Sequence, residues 1–564
     1  MLGLAALGGT LWLAAEAREP SPRMSTRALE DEGLRLSFAD AEVKLGDRLF
    51  FETRFAQYFF ERCKGNENAS LAVGDLLMKE VAVVGARALP GPFRGQSMNC
   101  RQCHLGDDFL GRRPPVGRTY CDFSRRSAVP QRDDGVATTV RNSPLMVGLG
   151  LRREVPALLH FDGEFVSAED LTINTLTGRN FGWLPGEQRI AVAHIARVIR
   201  NDAGLNPRHV LYRNGDGVPY RVVMLGSDPR LPRSLRIPPQ YRIDVEAASD
   251  EAVLDAVARL MHAYMNSIRF GTHNTLRDSG SPYDLFLEKN KLPVAPANGT
   301  SALAYAGELL ALLEEHGPLL WVEDPQDGAL RLHTQAYRFG ATELQGLKIF
   351  LGQARKGGDL HVGNCVACHP PPQFTDHRFH NNGAAQVEYD AIFGNGAFAA
   401  LEVPGLAERN TQFDAYLPSS PRHPTAVNRF RSIPSAVKPG FADLGVWNVF
   451  ANPELPKPQS ALAEILCGQA EAASTTCTPE TILPLTIAYF KTPSVRDLGQ
   501  SNPYFHSGGL DSIEEVLRFY VATSGLARAG KLRNASPEMS GVRIDAADVA
   551  PIAAFLRSLN EDYH

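Results

Sequence analysis

The sequence predicts a mainly α protein of two lobes with long loops and a small strand-containing insertion. Three observations predict it. The pattern Cys-x-x-Cys-His occurs twice, at Cys100–His104 and Cys365–His369. Each occurrence follows a Gly-x-x-[Leu/Ile]-Phe stretch, in Leu45-Gly46-Asp47-Arg48-Leu49-Phe50 and Gln345-Gly346-Leu347-Lys348-Ile349-Phe350. The 49 Gly and 39 Pro among 564 residues leave much of the chain for loops. Hydrophobic residues make up 44% and charged ones 21%, enough for sizeable cores and against wholesale disorder. The net charge is −5 and Lys/Arg runs are absent, which argues against phosphate-based nucleic-acid binding.

From the N-terminus, residues 1–17 read as an export signal: Leu2 to Ala15 is apolar, and Ala15-Glu16-Ala17 is a small-x-small cleavage pattern. No Lys or Arg precedes Arg18, so an uncleaved anchor stands beside cleavage after Ala17. No later apolar run approaches the length of a membrane span. Residues 18–285 form the expected N-terminal lobe, with insertions. Within it, Ser167 begins a helix, Val218–Val245 has Tyr, Val and Ile between prolines and predicts a few strands, and Glu251–Phe270 has the 3–4 spacing of a helix. Residues 286–340 are expected to connect the lobes, with one helix near Ala302–Glu315. Residues 341–564 form the C-terminal lobe, closing with a helix over Ala546–Leu559.

The twin motifs carry the chemistry. Two thiols three positions apart can reach both vinyl groups of one haem, and the adjacent His can ligate its iron. Cys100, Cys103 and His104 therefore hold one covalent haem c, and Cys365, Cys368 and His369 a second. A zinc reading needs more Cys/His ligands at pair spacing than either motif offers. The two lobes are thus cytochrome c-like. Cys63, Cys121, Cys467 and Cys477 remain, an even set suited to an oxidising compartment. Of their three pairings, Cys467–Cys477 with Cys63–Cys121 is favoured over four free thiols.

The chain resembles the bacterial di-haem cytochrome c peroxidase/MauG family, and within it the long MauG-like (BthA-like) di-haem peroxidases. The resemblance rests on the paired motifs, Phe374-Thr375-Asp376 with Phe379-His380-Asn381, Lys491-Thr492-Pro493-Ser494-Val495-Arg496, and Pro503-Tyr504-Phe505-His506-Ser507-Gly508-Gly509 followed by Ile513-Glu514-Glu515-Val516. It implies a periplasmic oxidoreductase that reduces hydrogen peroxide through a high-valent di-haem state, with electrons from a small donor cytochrome or a protein substrate. Fourteen positions after His506, where other members carry a ligating Met, stands Tyr520, the MauG-like choice for the second iron. The plain alternative is an aromatic on the apolar face of a short helix. No His lies between His104 and His160, so the family's blocking His on that loop is absent and the first iron is expected open or water-ligated; Tyr120 is the other residue that could block it.

In the family's peroxide pocket a Trp-Asp-Gly-Arg-like turn follows a Gln, and a Glu stands ten positions after that Gln. Here Leu159 replaces the Gln and Glu169 takes the Glu position, as the carboxylate that moves a proton between peroxide oxygens. The alternative for Glu169 is a helix-capping role. His160 is a second distal hydrogen-bonding group, or a histidine packed beside Phe161. The resemblance also implies a calcium ion between the lobes, at Ser501 and Pro503; the family's usual first-lobe Asn donor has no clear match here, and Asp122 is the candidate in its place. It implies an interhaem Trp relay, for which Trp183, Trp321 and Trp447 are the candidates. Two other functions fit the motifs: an electron-transfer cytochrome, with both irons six-coordinate, and a dioxygenase of an apolar substrate, which Leu159 favours and Glu169 opposes. A partner protein using haem only structurally is the remaining alternative.

Overall fold

The computed structural model describes residues 40–69, 99–100, 103–104, 129–130, 132–136, 138–144, 146–149, 155–204, 218–268, 280–330, 335–353, 361–472, 476–498 and 501–561. The export segment, Tyr120, Cys121 and Asp122 lie outside the described residues. The first lobe holds α1 (Ala41–Phe50), α2 (Gln57–Cys63), α3 (Ala168–Leu176), α4 (Gln188–Asn201), α5 (Tyr220–Leu225) and α6 (Asp250–Ser267). After it come α7 (Pro282–Lys289), α8 (Ala302–Glu315) and α9 (Ala341–Leu351). Then follow α10 (Ala384–Phe393), α11 (Leu406–Thr411), α12 (Phe413–Tyr416), α13 (Gln459–Ala472) and α14 (Pro479–Ile482). The chain closes with α15 (Ile513–Arg528) and α16 (Val549–Arg557). No described helix is long and apolar enough to cross a membrane.

The repeated Gly-x-x-[Leu/Ile]-Phe stretch has a structural cause. α1 packs on α6, and α9 on α16, in the most extensive helix pairings of their lobes among the described residues. A Cβ on Gly46 would sit 2.0 Å from the Leu260 carbonyl oxygen and 2.8 Å from Tyr264 Cβ. A Cβ on Gly346 would sit 2.0 Å from the Pro551 carbonyl oxygen and 2.9 Å from Phe555 Cβ. Only glycine lets the two backbones approach this far. The Leu and Phe that follow, Leu49 and Phe50 in one lobe and Ile349 and Phe350 in the other, are buried in the respective cores.

α6 follows the predicted pattern: Val253, Leu254, Val257, Leu260, Met261 and Tyr264 are all buried. Ser249 caps it by accepting a hydrogen bond from Ala252 N, and Asp250 and Glu251 in the first turn suit the helix dipole. Its last residue is Ser267, short of the predicted Phe270. α8 occupies the predicted range, and α16 is shorter than predicted at both ends.

Three features differ from expectation. First, 218–245 holds no strand among its described residues but α5 and two 3-10 turns, Arg233–Leu235 and Pro239–Tyr241. Prolines at 219, 232, 238 and 239 remove ladder donors, and Tyr220, Val223 and Met224 are buried at helical spacing. The two-stranded antiparallel sheet lies elsewhere, pairing β1 (Phe379–His380) with β2 (Phe490–Lys491), His380 opposite Phe490. Second, the expected connector belongs to the second core: Phe286, Leu287, Tyr305, Leu309 and Val322 are buried with Phe350 and Phe555. Third, residues 384–488 of the second lobe build a core of their own around Trp447, Phe430 and Leu462, joined by Leu158 of the first lobe.

Candidate haem sites

Both motifs fold into the same tight turn. Cys103 N and His104 N each donate to Cys100 O at 3.1 Å; Cys368 N and His369 N donate to Cys365 O at 3.2 and 2.8 Å. All four thiols are outside any disulfide and half-buried; Cys100 and Cys103 pack at the edge of the first core and Cys365 at the edge of the second. Burial pushes the Cys365 thiol up to about 12 and raises Cys100 further still.

His104 Nδ1 lies 3.1 Å from Pro144 O, and His369 Nδ1 lies 3.0 Å from Phe374 O. A carbonyl can only accept, so each Nδ1 carries the hydrogen and each Nε2 presents its lone pair. Burial also lowers both pKa values, His104 to about 4, which keeps the rings neutral. Two half-buried thiols outside any disulfide, beside a neutral imidazole whose Nδ1 is held by a carbonyl, are a donor set that fits a covalently attached haem at each motif.

The Lys-Thr-Pro-Ser-Val-Arg segment braces the second motif. Thr375 Oγ1 donates to Thr492 O at 2.7 Å, Ser494 Oγ to Gln373 O at 2.7 Å, and Val495 N to the same Phe374 O at 3.3 Å. The fully buried Arg496 guanidinium makes two bonds to Asp284, 2.8 and 3.0 Å, and donates to Pro372 O.

Tyr520, on α15, is brought to this motif. Its hydroxyl accepts a hydrogen bond from Asn382 Nδ2 at 3.1 Å. Burial pushes its pKa up to about 12, the Asn382 bond works against that, and the Cys368 and Cys365 sulfurs are close enough to add to the rise. His380 stands beside them, with Nε2 2.9 Å from Asp376 Oδ2 and Nδ1 3.5 Å from Glu538 Oε2. Cys368, His380 and Glu538 place a ligand atom each within 4.8 Å of one another. Burial opposes a charge on His380, but Cys368, Asp376 and Glu538 raise its pKa well above the ordinary value.

At the first motif, His160 is near enough to depress the His104 pKa further. His160 has φ 63° and sits edge-on to Phe165, centroids 4.8 Å apart, rather than beside Phe161. Its Nδ1 is 3.4 Å from Glu164 Oε2. From there a buried ion network runs on. Arg431 reaches Glu164 at 2.5 Å and Asp162 at 3.4 Å, and Arg141 binds Asp162 at 2.5 Å and Asp443 at 2.6 Å. Burial works against ionising Glu164, but the Arg431 guanidinium and His160 hold it well below the usual carboxylate range.

Glu169 lies in the first turn of α3, which Ser167 Oγ caps through Asp170 N. The cap is therefore Ser167, leaving the Glu169 carboxylate to pair with His262 of α6, Oε1 to Nδ1 2.5 Å, each side chain about one-third exposed. His262 escaped the sequence reading because its partner is 93 positions away.

Around Ser501 and Pro503, where calcium is expected, Pro503 O accepts a hydrogen bond from Asn142 Nδ2, and Asn142 N donates to His506 O at 2.6 Å. Ser501 Oγ faces the carbonyls of Asp497 and Leu498, 3.4 Å from each. Asn142 is thus the first-lobe side chain that meets this segment. Of the three Trp candidates for a relay, Trp183, which donates to Phe55 O, and Trp447, beside Arg409, are buried in cores, and Trp321 stacks on Phe286 at the edge of the second core. Cys467 and Cys477 form a disulfide, Cα atoms 5.3 Å apart; Cys63 is buried without a bonded partner among the described cysteines.

No family model and no curated protein matches the chain. Among solved structures it is similar to the diheme peroxidase BthA from Burkholderia thailandensis, at 15% identity over 92% of this chain and 86% of that one, TM-score 0.37. A variant of BthA matches over the same shares at 14% identity, TM-score 0.41. A MauG-like protein associated with microbial copper homeostasis matches at 17% identity over 98% of this chain and 96% of that one, TM-score 0.41.

Proposed function

We propose that this chain is an exported, periplasmic di-haem c-type peroxidase, taking electrons for hydrogen peroxide reduction from a donor cytochrome or a protein substrate. The observation that carries the reading is the unlike surroundings of two like motifs. The second has a half-buried phenol, Tyr520, beside its cysteines. The first has His160 within electrostatic reach of its His104. Unlike axial surroundings suit a division of labour between a reactive site and an electron-storing one. Haem, when bound at both motifs, supplies iron that binds peroxide and exchanges electrons.

The residues supply the rest. His104 and His369 offer Nε2 as iron ligands, with Nδ1 held by Pro144 and Phe374, and the four cysteines offer thioether sulfur. Tyr520 offers its phenolic oxygen at the second site, with Asn382 Nδ2 steadying the anionic form. Glu169 Oε1, at 2.5 Å from His262 Nδ1, can pass a proton to and from that ring; Glu169 is the base for peroxide and His160 a second hydrogen-bonding group. Asn142, Ser501 and Pro503 mark where a calcium ion would join the lobes. Calcium takes about six to eight oxygens, so the Asn142 amide would have to turn its oxygen towards Pro503 O.

The test is a haemochrome assay followed by stoichiometric peroxide titration of the diferric protein, read by visible/near-infrared absorption and EPR. The reading expects two haems per chain, one high-spin and one low-spin signal, both lost with one equivalent of peroxide. Glu169→Gln should slow that loss with both haems retained. Two low-spin signals indifferent to peroxide would make the chain an electron carrier instead.

A further inference from the structure

The reading above requires electrons to pass between the two motifs, and the described tryptophans are packed in the cores or, for Trp321, against one. We propose that the stacked rings of His506 and Phe490 carry electron transfer between the two haem sites. This rests on the assignment of haem to both motifs.

The two rings are parallel within 10°, with centroids 3.6 Å apart, and both residues are buried. Their backbones are tied to opposite motifs. On one side, His506 O accepts from Asn142 N at 2.6 Å, and two residues further on Pro144 O holds His104 Nδ1 at 3.1 Å. On the other, Phe490 is the sheet partner of His380, whose ring bonds to Asp376, and Asp376 N donates to Cys368 O at 3.0 Å. The next residue, Lys491, donates its N–H to Phe161 O at 2.7 Å, so β2 also touches the turn that carries His160.

A π-stack in van der Waals contact removes the through-space gap that would otherwise interrupt this chain of bonds. Neither ring is a phenol or an indole, so the pair bridges without becoming a stopping point for the electron. Arg141, whose guanidinium lies 5.6 Å from the Phe490 ring centre, opposes a positive charge there. In the step itself one electron leaves the group held by His369 and arrives at the group held by His104. No bond is made or broken, and peroxide is the terminal oxidant.

The experiment uses half-reduced holoprotein with carbon monoxide on the ferrous site. After a flash releases the ligand, redistribution of the single electron is followed in the Soret band, and both reduction potentials are measured separately. Phe490→Leu and His506→Leu should slow redistribution by an order of magnitude, whereas His506→Phe, which keeps a ring, should hold the rate of the parent protein. Unchanged rates in both Leu variants at unchanged potentials would overturn the proposal. Should a Leu variant fail to fold, His506→Phe decides: the proposal requires the parent rate, and an order-of-magnitude loss refutes it. Fewer than two haems by haemochrome would instead remove the functional reading beneath it.

Discussion

Replacing Gly346 with Ala puts a methyl group where α9 meets α16. The new Cβ would stand 2.0 Å from Pro551 O, 2.5 Å from Pro551 C and 2.9 Å from Phe555 Cβ, and real Cβ atoms essentially never approach other atoms closer than 3.0 Å. The helices must therefore separate by about 1 Å, because the obstacle is backbone and cannot rotate away. Overpacking of this kind costs about 3 kcal/mol, the upper part of the usual range. Alanine's better helix propensity returns about 1 kcal/mol. The net loss is about 2 kcal/mol, or a fall of about 4–8 °C in Tm for a lobe of this size. Gly307 in α8 is the control, since its Cβ would meet only the Gln353 amide nitrogen at 3.6 Å. Gly307→Ala should raise Tm slightly. Circular dichroism melts of the two variants check both signs, and a Gly346→Ala protein as stable as its parent would refute the close-approach argument.

Further outcomes follow from the two sites. Tyr520→Phe should alter the optical spectrum of one haem and leave both attached; an unaltered spectrum would remove Tyr520 as a ligand. The same change leaves the Asn382 amide without its acceptor, a cost of about 1–3 kcal/mol if no water replaces it. Burial opposes ionisation of Asp443, but Arg141 lowers its pKa to about 2. A depressed carboxylate stabilises the fold above its unfolded value of about 3.9 and loses that contribution as pH falls through the folded value. Asp443 should thus contribute about 2 kcal/mol at neutral pH, disappearing between about pH 4 and 2. Acid titrations of stability should show that slope in the parent protein and a flatter one in Asp443→Asn; equal slopes would contradict the pairing.

What was legible in the sequence was what contiguous residues must do together. A Cys-x-x-Cys-His turn needs its five residues in a row, and α6 announces itself because Val253 to Tyr264 repeat at helical spacing over three turns. The start of α3 was readable for the same reason, since Ser167 and Asp170 are close in the chain. The 218–245 stretch misled because Tyr, Val and Ile between prolines look like strand residues, whereas a strand needs a partner. The core around Trp447 was invisible because Phe430, Leu444 and Trp447 come from turns and irregular segments rather than a periodic helix, and Leu158 joins them from the other lobe. Asn142 and His262 could not be picked out, their partners Pro503 and Glu169 being 361 and 93 positions away.

The reach of Arg431 and Asp443 into the first lobe sets an order on biogenesis. Asp162 and Glu164 flank His160, yet the cations and acids that balance this turn come partly from a segment nearly 270 residues later. On a chain emerging N-terminus first, the pocket encoded earliest cannot take its final shape until that segment has been made and delivered. Its two buried acids would have to wait hydrated or protonated in the interval. The pocket around His160 is therefore translated early but finished late, and a gene truncated between the lobes would yield that turn without Arg431 and Asp443.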